Sequence, residues 1–265
     1  MISNPNVSAF WQTFTSWRGG SSPALRGRGT SWAFTGGCHV PLDCTRYQES
    51  CGRCPQLGSA RNRDLSRWVW RRKHKHWRNL NLTIVSPSRW LADCARSSSL
   101  LRRRRIEVIP NGLDLTRFRP LDRGWARDLL GLPQEQTLIL SGALGLSRDP
   151  HKGFGHLQKA LKILAAQGWQ EKASLIIVGS SAPQEPVDTG LKPIYLGTFH
   201  DEISMVLLYA AADVLVAPYV QDNLSNVVME ALACGIPVVA FDAGGMPDMV
   251  DHLRVGYLAQ PFDPA

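Results

Sequence analysis

Apolar residues in the second half of the chain fall into short runs broken by turns, and the runs alternate between two periods. Thr137 to Ser141, Ala173 to Val178, Val214 to Ala217 and Ile236 to Phe241 are continuous stretches rich in Val, Ile and Leu, the pattern of strands buried on both faces. Ile194-Tyr-Leu-Gly is a further strand of this kind. Between them the period lengthens. After Gly153, residues Phe154, Leu157, Leu161, Leu164 and Ala165 recur on one helical face. Asp201 to Ala212 reads as a second helix. Val227 to Cys234 reads as a third, entered through Ser225 and Asn226 and closed by Gly235, the cap residues expected at those ends. Strand, loop and helix in alternation predict a doubly wound α/β sheet, in which ligands bind beyond the carboxyl ends of the strands.

The first half is less regular. Residues 1–28 show no period and contain breaker clusters such as Arg18 to Pro23, so a poorly ordered lead-in is expected. Leu82 to Ser86 reads as a strand running into a capped helix. Ile106 to Ile109 reads as a strand followed by the turn Pro110-Asn111-Gly112. A boundary near Arg117–Pro120 divides the chain into a first domain, 29–117, and a second, 118–265.

Charge sharpens that division. The 265 residues carry a formal charge of +8 and are 44% hydrophobic, enough for two modest globular domains. Residues 1–117 hold 20 of the 30 Lys and Arg but only 6 of the 22 Asp and Glu, which points the first domain towards an anionic partner. Residues 61–79 interleave eight Lys and Arg with Trp68, Trp70 and Trp77, and Arg102 to Arg105 extend the basic surface. Such a stretch suits a membrane interface, nucleic acid, or an ordinary surface helix that buries its Trp side chains. No apolar run reaches the roughly 18 residues that would span a bilayer, and no secretory signal pattern opens the chain. A cytoplasmic location is expected.

Four of the six cysteines, Cys38, Cys44, Cys51 and Cys54, lie within one short segment. Cys51-Gly-Arg-Cys54 has the two-residue spacing of a zinc knuckle. The wider gap from Cys38 to Cys44 fits that pattern less well. Structural zinc, unbridged buried thiols and disulfides all remain open, with a reducing cytoplasm disfavouring the last.

Asp222 ends the loop after one predicted strand, and Glu230 lies about one turn inside the helix that follows. Two carboxylates there can accept hydrogen bonds from sugar hydroxyls, while free amides at the helix start can hold a phosphate. The plainer reading makes Asp222 a loop acid and Glu230 a solvated helix residue. Lys152, before Gly153 at another strand-to-helix loop, is suitably placed to meet a diphosphate.

The run DNLSNVVMEALACGIPVVAFDAGGMPD, from Asp222 to Asp248, resembles the donor-binding signature of family 4 glycosyltransferases, in which two acidic residues precede an Ala-x-Ala-x-Gly-x-Pro-Val-Val stretch. Residues 32–57, with Trp-Ala-Phe-Thr-Gly-Gly-Cys-His and Cys-Gly-Arg-Cys-Pro-Gln-Leu, are similar to a block in a bacterial polysaccharide-type branch of that family. The resemblance implies two Rossmann-like domains of the GT-B type and a retaining transferase without a catalytic metal. Its donor would be a nucleotide-sugar. Its acceptor would be a glycan or lipid-linked molecule in polysaccharide biosynthesis, met at the inner face of the plasma membrane.

By the same resemblance Glu230 would hold the ribose hydroxyls. Asp222, with the amides of Asn223, Leu224, Ser225 and Asn226, would hold the donor sugar. Lys152 would meet the diphosphate, with Arg148 as companion. This chain has Asp222 where the family has Glu, His151 where it has Arg, and Gly29-Thr30-Ser31 where it has a His-Asp pair. The family's first strands and last helices find no counterpart, so the first domain is expected to be incomplete, the second to lack its closing helices, and transfer to be slower than donor binding or absent. The alternative is a non-catalytic basic protein on a membrane surface. Nucleic acid is the less favoured partner, because enzymes of this resemblance use lipid-linked acceptors.

Overall fold

The alternation of apolar runs and helical faces is realised as two separate parallel sheets. The computed structural model describes residues 24–27, 30–142, 150–179 and 188–263, and these separate into two units after Gly112. The first holds a three-stranded sheet in the order β1 (Ala24–Gly27), β2 (Leu82–Ser86), β3 (Arg105–Val108), together with helices α1 (Leu65–Trp77) and α2 (Arg89–Ser97). β2 is central and all five of its residues are buried, as its unbroken apolar run requires.

The expectation of an unordered lead-in is corrected at β1. Ala24 pairs with Leu82 and Gly27 with Val85, in parallel. A four-residue edge strand needs only backbone pairing, so it leaves no period to read. The remaining residues of that lead-in lie outside those described.

Helix α1 carries the basic, Trp-containing stretch. Asp64 caps it, accepting from the Arg67 amide at 3.1 Å. One of its cations is not on the surface at all. Lys73 is 6% exposed, donates to the Trp32 and Thr35 carbonyls, and lies 3.7 Å from the centre of the Trp32 ring. A buried ammonium with carbonyl acceptors and an aromatic face is a structural pin. Trp70 likewise turns inward, its Nε1 donating to Ser99 at 3.1 Å. Trp68, Arg71, Arg72 and Lys75 remain exposed.

The second unit contains α3 (Arg123–Leu130), β4 (Thr137–Gly142), α4 (Phe154–Leu164), β5 (Ala173–Val178), β6 (Lys192–Tyr195), α5 (Glu202–Ala211), β7 (Val214–Ala217), α6 (Asn226–Ala233), β8 (Val238–Phe241) and β9 (Gly256–Ala259). Its six strands are all parallel, in the order β6-β5-β4-β7-β8-β9. The chain builds outward from β4 through β5 to β6, then returns to β4's other side with β7. The strand order therefore reverses between β4 and β7, and this is the switch point where open α/β sheets take ligands. Leu138, Leu140, Leu175, Ile176, Leu215 and Val238 are at most 1% exposed and form the sheet's two-sided core.

An ion pair between a buried guanidinium and a partly exposed carboxylate ties α3 to this sheet. Arg127, 3% exposed, donates to Asp213 at 2.6 Å and to the carbonyls of Ala211, Gln134 and Gln136. Asp213 also accepts from the Leu138 amide at 2.7 Å. Both charges are thus fully hydrogen-bonded, the condition under which a buried charge is tolerated.

Candidate functional site

Three loops meet at the carboxyl ends of β4, β7 and β8, and glycines allow them to meet. The Val220 amide donates to the His151 carbonyl at 2.9 Å, joining the loop after β7 to the loop before α4. Gly153, at φ +69°, closes that contact: a Cβ there would stand 1.7 Å from the Pro218 oxygen. On the other side the Gly245 amide donates to the Asp222 carbonyl at 2.8 Å. A Cβ on Gly245 would stand 1.7 Å from the Asn223 oxygen, and Gly244 takes φ +59° against Asp222. Only residues without a side chain fit these close approaches.

The loops bring Lys152 to Asp222. The Lys152 ammonium is 3.5 Å from Asp222 Oδ2 and 4.3 Å from the centre of the Tyr219 ring. At that separation the contact is at the outer limit of a hydrogen bond, and both side chains keep solvent access, 31% and 21% exposed. Tyr219 beneath them is buried, and burial followed by the Asp222 charge pushes its phenol well above the ordinary range. It therefore stays neutral and offers its ring to the cation.

Glu230 has a different partner. The hydroxyl of Tyr209, a fully buried residue of α5, donates to Glu230 Oε2 at 2.7 Å. Burial raises the Glu230 carboxyl above its usual range, the Tyr209 hydroxyl opposes that rise, and the Glu202 charge adds to it. Tyr209 is shifted upward too, by burial first and then by Glu230. Both shifts describe one arrangement, a neutral phenol donating to a carboxylate. Among the described residues no hydrogen bond or ion pair links Asp222 to Glu230.

The start of α6 is partly occupied by its own side chains. Ser225 caps the helix through the Val228 amide. Asp222 Oδ1 accepts from the Asn223 amide, and Asn223 Oδ1 from the Leu224 amide. Two of the amides expected to meet a sugar thus have side-chain partners in this structure. Arg148 lies outside the described residues. The sequence reading missed Tyr209, which looks like one more apolar position on its helix; a tyrosine amid aliphatic residues is the only signal it leaves.

In the first unit Cys38, Cys44, Cys51 and Cys54 line one cavity, and none is in a disulfide. Burial pushes the Cys51 thiol up to about 11, against the Gly36 amide, and the charges of the other three cysteines add to that shift. Among the described residues no three His, Cys, Asp or Glu side chains stand at metal-binding separation. No described helix is long and apolar enough to cross a membrane.

Residues 135–265 match the family model described as Glycosyl transferases group 1. The chain is 30% identical over 174 residues to D-inositol 3-phosphate glycosyltransferase 2 of Catenulispora acidiphila, an alignment covering 60% of this chain and 40% of that enzyme. It spans about two fifths of the length of the curated relatives it matches. Sucrose-phosphate synthase from Thermosynechococcus elongatus superposes with a TM-score of 0.63 at 22% identity, covering 97% of this chain and 59% of that one. Anabaena HepE, in complex with UDP-glucose, superposes with a TM-score of 0.56 at 22% identity, over 73% of this chain and 54% of that one. At such identities the structural likeness shows the fold, the GT-B type. The family model lies over the unit that carries Lys152, Asp222 and Glu230, and it is this unit that is similar to the group 1 glycosyltransferases.

Proposed function

We propose that the second unit binds a nucleotide-sugar donor and that the chain serves a retaining transfer of its sugar to a glycan or lipid-linked acceptor in polysaccharide biosynthesis. The observation that carries this reading is the placement of Lys152 beside Asp222 at the switch point. A half-exposed ion pair at 3.5 Å contributes only about 0.2–1 kcal/mol. A diphosphate offers the ammonium shorter, charge-assisted bonds, so Lys152 is recruited at little cost and neutralises charge as the diphosphate leaves. Asp222, released from the pair, is then available to sugar hydroxyls. Glu230, oriented by Tyr209, takes the ribose. The donor class is also that of the HepE complex.

Calorimetric titration of the chain with UDP, GDP and ADP tests the reading. One of the three is expected to bind, and Lys152→Ala and Glu230→Gln should each weaken it by about tenfold or more, near 1.4 kcal/mol. Absence of binding by all three at millimolar concentration sinks it. Retention is decided separately by the anomeric configuration of the product.

The exposed face of α1 favours an additional partner. Trp68 is 53% exposed, with the Arg72 guanidinium 4.9 Å from its ring, and Arg71 and Lys75 are exposed beside them. An aromatic flanked by cations is suited to an anionic bilayer surface, where a lipid-linked acceptor would be found.

A further inference from the structure

The four cysteines of the first unit line a half-open cavity of about 220 Å³, completed by Gly36, Gly37, Tyr47, Leu57, Leu65 and Val69. Lys152, Asp222 and Glu230 all lie in the other unit. We propose that this cavity receives the hydrocarbon chain of a phosphate-bearing lipid, with Arg46 meeting the phosphate at its mouth. This role rests on the reading of α1 as a membrane-facing helix, and adds the molecule which that face draws from the bilayer.

The walls suit a chain. Glycines, a tyrosine ring and aliphatic side chains make them largely apolar, and a protonated thiol behaves as a small apolar group. Burial pushes the Cys51 thiol up to about 11 and raises Cys38 as well, so both stay protonated. The hydroxyls of Thr35 and Ser66 also line the space, but they donate to the Cys38 carbonyl at 3.0 Å and to Asp64 at 2.7 Å. Folded interiors leave few gaps larger than a water molecule, and an apolar cavity of about 150 Å³ already holds a benzene ring. The space is therefore a binding volume for a short stretch of hydrocarbon rather than a packing fault.

The rim joins the cavity to the basic face of α1. Leu57 and Leu65 line the cavity yet are 50% and 61% exposed, which places them at its opening. Leu65 lies three positions before Trp68 on α1, and Trp68 four before Arg72, so these side chains are neighbours on one helix surface. Arg46 also lines the cavity and is exposed, its Nη1 donating to the Gly52 carbonyl at 3.3 Å. A guanidinium has further donors with which to meet a phosphate. Charge around the opening is one-sided. Residues 38–75 contain nine Lys and Arg, of which only Lys73 is buried, against three acids, and one of those, Asp64, caps α1. An exposed apolar rim in a cationic surround matches a lipid that carries both a chain and a phosphate.

The cysteines themselves report occupancy. In the unmutated chain, alkylation of Cys44 and Cys54 by N-ethylmaleimide, followed by peptide mass analysis, should slow about fivefold or more as octyl phosphate is titrated below its micelle-forming concentration. Cys94, which does not line the cavity, should keep its rate. Inorganic phosphate should leave all three rates unchanged, and octan-1-ol, a chain without the anion, should protect less than octyl phosphate. Val69→Phe, which fills the cavity from α1, should abolish the protection but keep binding to phosphatidylserine vesicles; Trp68→Ala should do the reverse. Because Val69→Phe can fail to fold, the unmutated chain decides. Rates indifferent to octyl phosphate, or slowed equally by inorganic phosphate, would overturn the lipid site even where vesicles bind. Equal protection by octan-1-ol would overturn the Arg46 contact, and vesicles that fail to bind while protection persists would overturn only the membrane-facing reading of α1.

Discussion

Glu230 is kept as a carboxylate in a place that resists its charge. Its folded-state pKa lies above the ordinary value, chiefly through burial. A raised carboxyl binds its proton more tightly in the native state than in the unfolded one. The native state therefore loses stability as pH climbs from the ordinary glutamate value through the raised one, and the loss is complete above both. Glu230→Gln removes the charge but leaves an oxygen to accept from Tyr209. We expect this variant to be more stable than the parent by about 0.5–2 kcal/mol above that window, with the gain shrinking as pH falls through it, while nucleotide affinity drops. Denaturant titrations across pH 4–8 check this; a difference that does not change with pH would show that Glu230 carries no such load.

At the scale of elements, the site depends on loops held by backbone rather than by side chains. Gly245→Ala would force the loop after β8 away from Asn223, since the new Cβ meets its oxygen at 1.7 Å. The expected result is a lower Tm, a destabilisation of more than about 1 kcal/mol, and loss of nucleotide binding even though no contacting side chain has changed. Unaltered binding would mean that this packing does not position Asp222. The sequence made most of this frame legible. β4, β5, β7 and β8 are continuous apolar runs because both faces are covered, and α6 has its serine cap and closing glycine. Lys152 and Asp222 could be assigned to neighbouring loops, but their pairing could not, because the loops' approach depends on where Gly153 and Gly245 meet distant carbonyls. β1 escaped notice as a short edge strand. Lys73 was read with the other cations because a sequence window shows its charge but not the Trp32 and Thr35 carbonyls that receive it.

Across the whole molecule, charge is segregated: the basic excess belongs to residues 1–117 and the acidic excess to the remainder. If the face of α1 contacts anionic lipid, the chain should co-sediment with phosphatidylserine-containing vesicles and not with neutral ones. Binding should weaken steeply between about 50 and 200 mM salt, as the Debye length contracts. Trp68→Ala should reduce it several-fold without affecting nucleotide affinity. Equal binding to neutral vesicles, or indifference to salt, would rule out this surface.

The clasp between Arg127 and Asp213 also sets an order of events during synthesis. Its two ends are 86 positions apart, an interval that the ribosome takes roughly 4–17 s to cover. Throughout that interval Arg127 is already made and its carboxylate is not. β4 meanwhile can pair with β5 but lacks β7, its neighbour on the other side. A nascent chain paused before residue 213 would have to bury an uncompensated guanidinium in order to fold. The second unit is therefore expected to stay open, and available to chaperones, until β7, its fourth strand, begins to emerge.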